Sequence, residues 1–383
     1  MIDVSLIDDL SALEQLTPEW DALAVAAAMP MSAPAWMLAW WRHQRPPGGR
    51  LSAVAVREGK RLIGLAPLYA TPGRRGAPQT LRLLAADFST SVSPLALPGR
   101  EWTVAGAIDR ALAHMRPRPA ALALAPMRLA SPWPLALRER WPGPLQPPVF
   151  RYDLQSAPVV TLSGGSFDSW LAGRSSKFRA SMRRSERLFA DAGGSMRLST
   201  AQTLREDVQA FARLHAMRWE GRGHSRLAAL GERLTQTLLE AGAALAPSRF
   251  RLRVMEVGGE PICADISIAA GGEVLGFNTG WDERFKRISP ALLAFLYKIR
   301  DGFEHGDRRV QLGWGGHSYK LRFADGDDPV AWGTLLVPGR GLPLALARAA
   351  PLLGSAWIRA SGKRLLSPAQ IDRVRPLARL MPR

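Results

Sequence analysis

The chain has 383 residues, 47% of them apolar and 22% charged, which is a globular composition with room for two or three domains. A single cysteine excludes an intramolecular disulfide and with it a secreted disulfide scaffold, so a reducing, cytoplasmic setting is expected. The net charge of +18 is carried mostly by Arg, with only six Lys, which fits genomic composition as readily as anion recognition. Its placement is uneven: residues 339–383 hold nine basic side chains against one acidic.

The start, Met1 to Asp9, is acidic and lacks the basic and apolar regions of a signal peptide, so none is expected. Ala22 to Trp41 carries no charge over a length that could span a bilayer. Pro30, Ser32 and Pro34 interrupt it, which predicts two core helices, one ending near Met29 and one starting near Pro34. A hairpin follows, Leu51 to Arg57 and Arg61 to Tyr69 around a Glu58-Gly59 turn. Pro132 to Pro148 holds six prolines, a density that disfavours helix and sheet interiors and predicts a linker.

Beyond it, Phe178, Met182 and Phe189 recur at helical spacing and predict an inner face. Lys177, Arg184 and Arg187 lie on another face, which is either an anionic-ligand surface or a solvated basic one. Between Phe250 and Trp281, alternating β-formers broken by Gly258-Gly259 and Gly271-Gly272 predict a three-stranded antiparallel meander. Ser289-Pro290 then opens an apolar helix ending near Gly306, with Ser289 expected to cap its free N–H groups. A short strand from Arg309 to Gly313 leads into the cluster Gly315-Gly316-His317-Ser318-Tyr319-Lys320. Setting Gly59 beside Gly259 aligns the two hairpins, each after a Trp-containing helix, which suggests two copies of one α/β unit. The expected division is 1–150, 151–338 and a basic helical tail over 339–383. The tail is either helices packed with Arg outward or a surface for an anionic membrane, nucleic acid or a partner.

Asp265 interrupts the apolar alternation of the middle strand of the meander, on a face shared with Cys263 and Ser267 that suits solvent or a cleft floor. As a carboxylate it could orient or deprotonate an acceptor. His317 could serve as a base near neutral pH, or sit as a loop imidazole bound to backbone. Cys263, in an apolar strand, is expected to be inert packing. No histidine pairs with another ligand at metal spacing, so no metal site is expected. The Gly313-Trp314-Gly315-Gly316 run lacks the Lys-Ser/Thr of a P-loop, which argues against nucleotide hydrolysis.

Meander, helix and strand in this order, with Ser289-Pro290 and Gly313 before Tyr319-Lys320, resemble the cellulose-biosynthesis-associated branch of the GNAT acetyltransferases. The Trp36-x-x-x-Trp40-Trp41 helix, the Leu65-Ala-Pro67-Leu68 strand and the Lys177–Arg184 helix extend the resemblance over most of the chain. The resemblance implies an α/β fold with mixed sheets: two tandem GNAT-like units, as in Fem-type transferases, and a helical C-terminal tail. It implies acetyl-CoA or another acyl-CoA as co-substrate and direct acyl transfer to an amine or hydroxyl, on a small-molecule or glycan acceptor in polysaccharide or envelope metabolism. No nucleic acid partner is expected, and peripheral membrane contact is one of the readings open for 339–383. The donor's amide-bearing arm would pair with the backbone of 273–281, including Phe277, Asn278 and Thr279. Its pyrophosphate would meet Arg287, Ser289, Pro290 and Ala291. Tyr319 would protonate the leaving thiolate, with Lys320 beside it for charge, and Trp281, Lys177 and Arg184 would face substrate. Asp265, then Glu283 and His317, are the candidate bases. Two departures stand out: Arg287-Ile-Ser-Pro-Ala replaces the usual phosphate loop, and Gln311 replaces an acidic residue common in the branch.

Overall fold

The computed structural model describes residues 1–71, 79–162, 165–220, 225–245 and 248–347. The remainder of the basic tail, on which the alternatives of packed helices and an anionic-surface contact fall, lies outside the described residues.

The meander folds as its pattern predicts. Phe250–Val257, Glu260–Ala270 and Glu273–Trp281 pair antiparallel through the two Gly-Gly turns. Positive φ at Gly258, Gly259, Gly271 and Gly272 explains glycine there, because side chains rarely adopt that conformation. These strands are central to a seven-stranded sheet. Gly194–Leu198 lies on one side of them, with Arg309–Gln311, Pro158–Thr161 and Gly326–Asp327 in order on the other. The Pro290–Glu304 helix connects Glu273–Trp281 to the parallel strand Arg309–Gln311.

The first unit repeats this plan. The antiparallel pair Ala53–Glu58 and Arg61–Ala66 continues past Pro67 into Leu68–Thr71 and on to Thr80–Leu83. The Glu101–His114 helix then returns the chain to Ala121–Arg128, parallel to Thr80–Leu83. The duplication read from the hairpins is therefore present in the topology. Ala22 to Trp41 resolves into the helices Thr17–Ala26 and Pro34–Gln44 around a short turn. No helix among the described residues is long and apolar enough to cross a membrane.

Two features differ from expectation. The proline-rich segment contains a helix, Trp133–Glu139. Pro132 stands at its N-cap and Pro134 in its first turn, where a missing N–H costs no hydrogen bond. The strand Val330–Leu336, within the stretch assigned to the second unit, inserts between Ala121–Arg128 and Val149–Gln155 of the first unit's sheet. Two segments thus run through both sheets, 149–161 and 326–336, and tie the units together.

The contact between units is both apolar and ionic. Phe277 meets Trp36 and Phe88 at ring-centroid distances of 5.1 and 5.0 Å. Trp314 donates from Nε1 to the Thr90 carbonyl at 2.6 Å. Arg128 lies 3.2 Å from Glu273 and 3.3 Å from Asp328, while Arg309 lies 2.6 Å from Asp328. Burial outweighs these guanidinium groups and raises the Glu273 pKa.

Candidate active site

The site begins where the sheet splays. The parallel ladder between Glu273–Trp281 and Arg309–Gln311 covers three residue pairs and ends at Leu275 opposite Gln311. Beyond it, the strand from Gly276 to Trp281 pairs with Glu260–Ala270 on its other edge. Among the described residues no strand pairs with its near edge; at Thr279 side chains meet it instead, the N–H donating to Asn278 Oδ1 at 2.9 Å and the carbonyl accepting from Arg218. The register shifts around Phe277, and this bulge accentuates the divergence of the strands.

Glycine shapes the apex of the splay. A Cβ built at Gly276 would lie 3.1 Å from Lys298 Nζ and 3.0 Å from the Gln311 carbonyl oxygen. One at Gly313 would lie 3.6 Å from Lys320 Nζ and 3.7 Å from the Gly276 carbonyl oxygen. Two bare backbones thus admit two lysines to one point. Lys298 comes from the middle of the Pro290–Glu304 helix and is 1% exposed; its ammonium donates to Asp265 at 3.0 Å. Lys320 comes from the Ser318–Leu321 turn of helix and donates to the Trp314 carbonyl at 2.5 Å. Burial, then Lys298 and Arg218, push the Lys320 pKa down to about 8.

Arg218, at the end of the Leu204–Trp219 helix, closes the other side. Its Nη1 donates to the Thr279 carbonyl at 3.2 Å, and its guanidinium lies 5.9 Å from the Trp281 ring centroid. Tyr319 is half-buried and stacks on Phe295 at 6.0 Å and on His317 at 5.6 Å. Burial raises its pKa against the opposing pull of Arg218, so the phenol holds its proton at neutral pH.

The predicted residues fall into three groups. Phe277, Asn278, Thr279 and Trp281 line the open strand, and Tyr319 and Lys320 stand across from it. Arg287, Ser289, Pro290 and Ala291 form the start of the helix, with Arg287 exposed. Ser289 occupies the N-cap position but makes no side-chain cap bond, contrary to expectation. Its backbone is left-handed (φ 61°, ψ 54°), which aims the side chain away from the helix N–H groups. Glu283 and His317 are exposed. Lys177 and Arg184 lie on the outer face of the Ser176–Asp191 helix, whose inner face is Phe178, Met182 and Phe189 as read.

Asp265 shares a face with Cys263 and Ser267, but that face is neither solvent nor cleft. It is fully buried under the Pro290–Glu304 helix. Its carboxylate takes hydrogen bonds from Lys298 and from the Thr279 hydroxyl at 2.7 Å, with Arg253 at 3.5 Å. It therefore positions Lys298. Cys263 is buried, and its pKa is raised by burial and then by Asp265, as inert packing requires.

Arg218 and Lys298 escape sequence reasoning. A lysine inside the apolar run Pro-Ala-Leu-Leu-Ala-Phe-Leu-Tyr-Lys-Ile was a visible signal, since buried lysine is rare without a purpose. Two cavities, of about 540 and 520 Å³, lie elsewhere: beside Trp41, Arg45 and Arg116, and beside Arg213, Trp219 and Ser225. Neither touches the splay.

Residues 176–321 match the family model of the acetyltransferase (GNAT) domain. No curated protein matches the chain. Among solved structures, FemX is similar with a TM-score of 0.63 and 10% identity, over 90% of this chain and 99% of that one. L-PGS from Bacillus licheniformis is similar with a TM-score of 0.52 and 13% identity, over 91% of this chain and 98% of that one. A conserved protein of unknown function from Bacteroides thetaiotaomicron gives 0.55 and 9%, over 87% and 100%. At these identities the likeness is one of fold. With residues 176–321 matching that family model, the chain has a GNAT fold within a mixed α/β architecture of two GNAT-like units.

Proposed function

We propose that the protein moves an acyl group from acyl-CoA directly to an amine or hydroxyl. The observation that carries this is the edge from Gly276 to Trp281 that no other strand covers, with Lys320 at its glycine-lined Gly276 end and Arg218, which also interacts with Tyr319, on the Thr279 carbonyl. An extended amide-bearing arm fits such an edge as an added strand would. The left-handed Ser289 and the helix start after it supply the positive end of a helix dipole for a pyrophosphate.

In the transfer, the acceptor attacks the thioester carbonyl and the carbon–sulfur bond breaks. Tyr319, protonated at neutral pH, gives its proton to the departing thiolate. Of the candidate bases, His317 suits the acceptor proton: its ring is exposed and stacked parallel to Tyr319, within 6°. Asp265 fixes Lys298, and Arg218, which also interacts with Tyr319, adds positive charge where the thiolate forms. The acceptor is a small molecule or glycan; the polysaccharide or envelope setting rests on the sequence resemblance alone. An aminoacyl donor of the Fem type suits the apex less well, since its ammonium would approach two lysines.

Calorimetric titration with acetyl-CoA and CoA tests the proposal. Micromolar binding that Ser289→Glu abolishes is expected, because a carboxylate at the helix start repels the pyrophosphate. Absence of binding at millimolar donor, with the protein folded, would overturn it in favour of a non-catalytic scaffold.

A further inference from the structure

We infer that the apex of the splay is an acyl pocket for a donor whose acyl group ends in a carboxylate, held between Lys298 and Lys320. This inference rests on the proposed acyl-CoA reading and specifies its donor.

The direction of the donor follows from the topology. The helix that would meet the pyrophosphate starts at Pro290, just after the strand ends at Trp281. An arm laid along the open edge from that point runs back toward Gly276, roughly 17 Å away at the rise of an extended strand. Lys298 stands roughly 12 Å along the helix from Pro290. The far end of the arm, which carries the acyl group, therefore arrives at Gly276, Gly313 and the two ammonium groups.

The charges there are not balanced by the protein. Beneath the Pro290–Glu304 helix, the buried cations are Arg251, Arg253, Lys298 and Lys320, and the carboxylates are Asp265, Asp301 and Asp307. Asp301 and Asp307 are bound to Arg251, Asp301 also to Arg253, and Asp265 to Arg253 and Lys298. That leaves Lys320 with a backbone carbonyl as its hydrogen-bond partner and no carboxylate among the described residues. Each ammonium has three donors, and Lys298 and Lys320 each use one in the structure, to Asp265 and to the Trp314 carbonyl. Buried donors without acceptors are costly, and a buried charge without a counter-ion more so. A carboxylate at the apex would supply both. A purely aliphatic acyl group would bury these donors further and supply nothing.

The test uses stable CoA thioethers, carboxypropyl-CoA and butyl-CoA, titrated calorimetrically alongside CoA with no acceptor present. We expect carboxypropyl-CoA to bind about tenfold or more tightly than butyl-CoA, as a charge-assisted contact requires. Lys320→Gln should abolish that preference, so that carboxypropyl-CoA and butyl-CoA bind the variant within about threefold of each other. This variant leaves no carboxylate uncompensated, so it remains informative if Lys298→Met, which strands Asp265, fails to fold. Equal affinity of the two thioethers for the wild-type protein would overturn the inference while the acyltransferase reading stands. That is also the result expected if the anion belongs to the acceptor. Failure of CoA and both thioethers to bind would overturn the acyltransferase reading itself, and this inference with it.

Discussion

Replacing Gly276 by alanine tests the geometry of the apex. The new methyl would lie 3.0 Å from the Gln311 carbonyl oxygen and 3.1 Å from Lys298 Nζ, against an ordinary contact of 3.4–4 Å. The Gln311 carbonyl belongs to the strand, so the lysine gives way first. Moving Lys298 lengthens its 3.0 Å bond to Asp265, a charge-assisted contact worth about 1.5–3 kcal/mol. Overpacking at a buried site costs a similar amount, about 1–3 kcal/mol, so the melting temperature should fall by several degrees while the fold survives. The binding consequence is selective. The methyl projects toward Lys298 and the Gln311 carbonyl at the Gly276 end of the open edge, remote from the helix start, so CoA, which has no acyl group, should lose less than about threefold in affinity. A four-carbon acyl group must occupy the filled space and should lose roughly 10–100-fold, the usual penalty of one methylene too many. Calorimetry with CoA and butyl-CoA on both proteins gives the ratio directly. If Gly276→Ala leaves the butyl-CoA to CoA ratio unchanged, the acyl group does not reach the apex and the assigned direction of the donor is wrong.

Further expectations concern chemistry and stability. Tyr319→Phe should lower turnover at least tenfold with donor affinity nearly unchanged, a loss of about 1.4 kcal/mol or more confined to the transition state; equal turnover removes Tyr319 from the mechanism. Ser289→Gly should raise unfolding stability by about 1 kcal/mol, since glycine adopts the left-handed backbone without strain; a destabilised variant would show the serine hydroxyl to be needed. Asp109 is fully buried, with no hydrogen-bond partner for either oxygen among the described residues, and burial raises its pKa to about 8 against the opposing charge of Arg110. Its folded pKa exceeds its unfolded value, so it costs nothing in acid, and the penalty grows as pH rises from near 4 toward 8. Asp109→Asn should therefore match the wild type near pH 4 and exceed it by up to about 4 kcal/mol at neutral pH in denaturant unfolding. A parallel pair of pH profiles would refute the burial argument.

Much of the fold could be read from local pattern. The meander, the helix after Ser289 and the duplicated hairpin depend on alternation, Gly-Gly turns and proline placement, all of which act between neighbours in sequence. What escaped depends on distant partners. Val330–Leu336 has ordinary strand patterning, and nothing local says that its ladder lies with Ala121–Arg128. The Trp133–Glu139 helix is masked by the proline density around it, because Pro132 and Pro134 sit at the helix start, where proline is tolerated. Alternation along the strand suffices to put Asp265 on one face with Cys263 and Ser267. The burial of that face follows from Arg253 and Lys298 arriving from other elements. Arg218 looks like any helix-end arginine until Thr279 and Trp281 are brought beside it.

The central claim is that the edge from Gly276 to Trp281 receives the donor arm. Amide hydrogen exchange across this strand, with and without saturating CoA, tests it most directly. The account predicts slowed exchange between Gly276 and Trp281 and at the start of the Pro290–Glu304 helix, with Phe250–Val257 unchanged. Saturation by CoA with no added protection between Gly276 and Trp281 would contradict it.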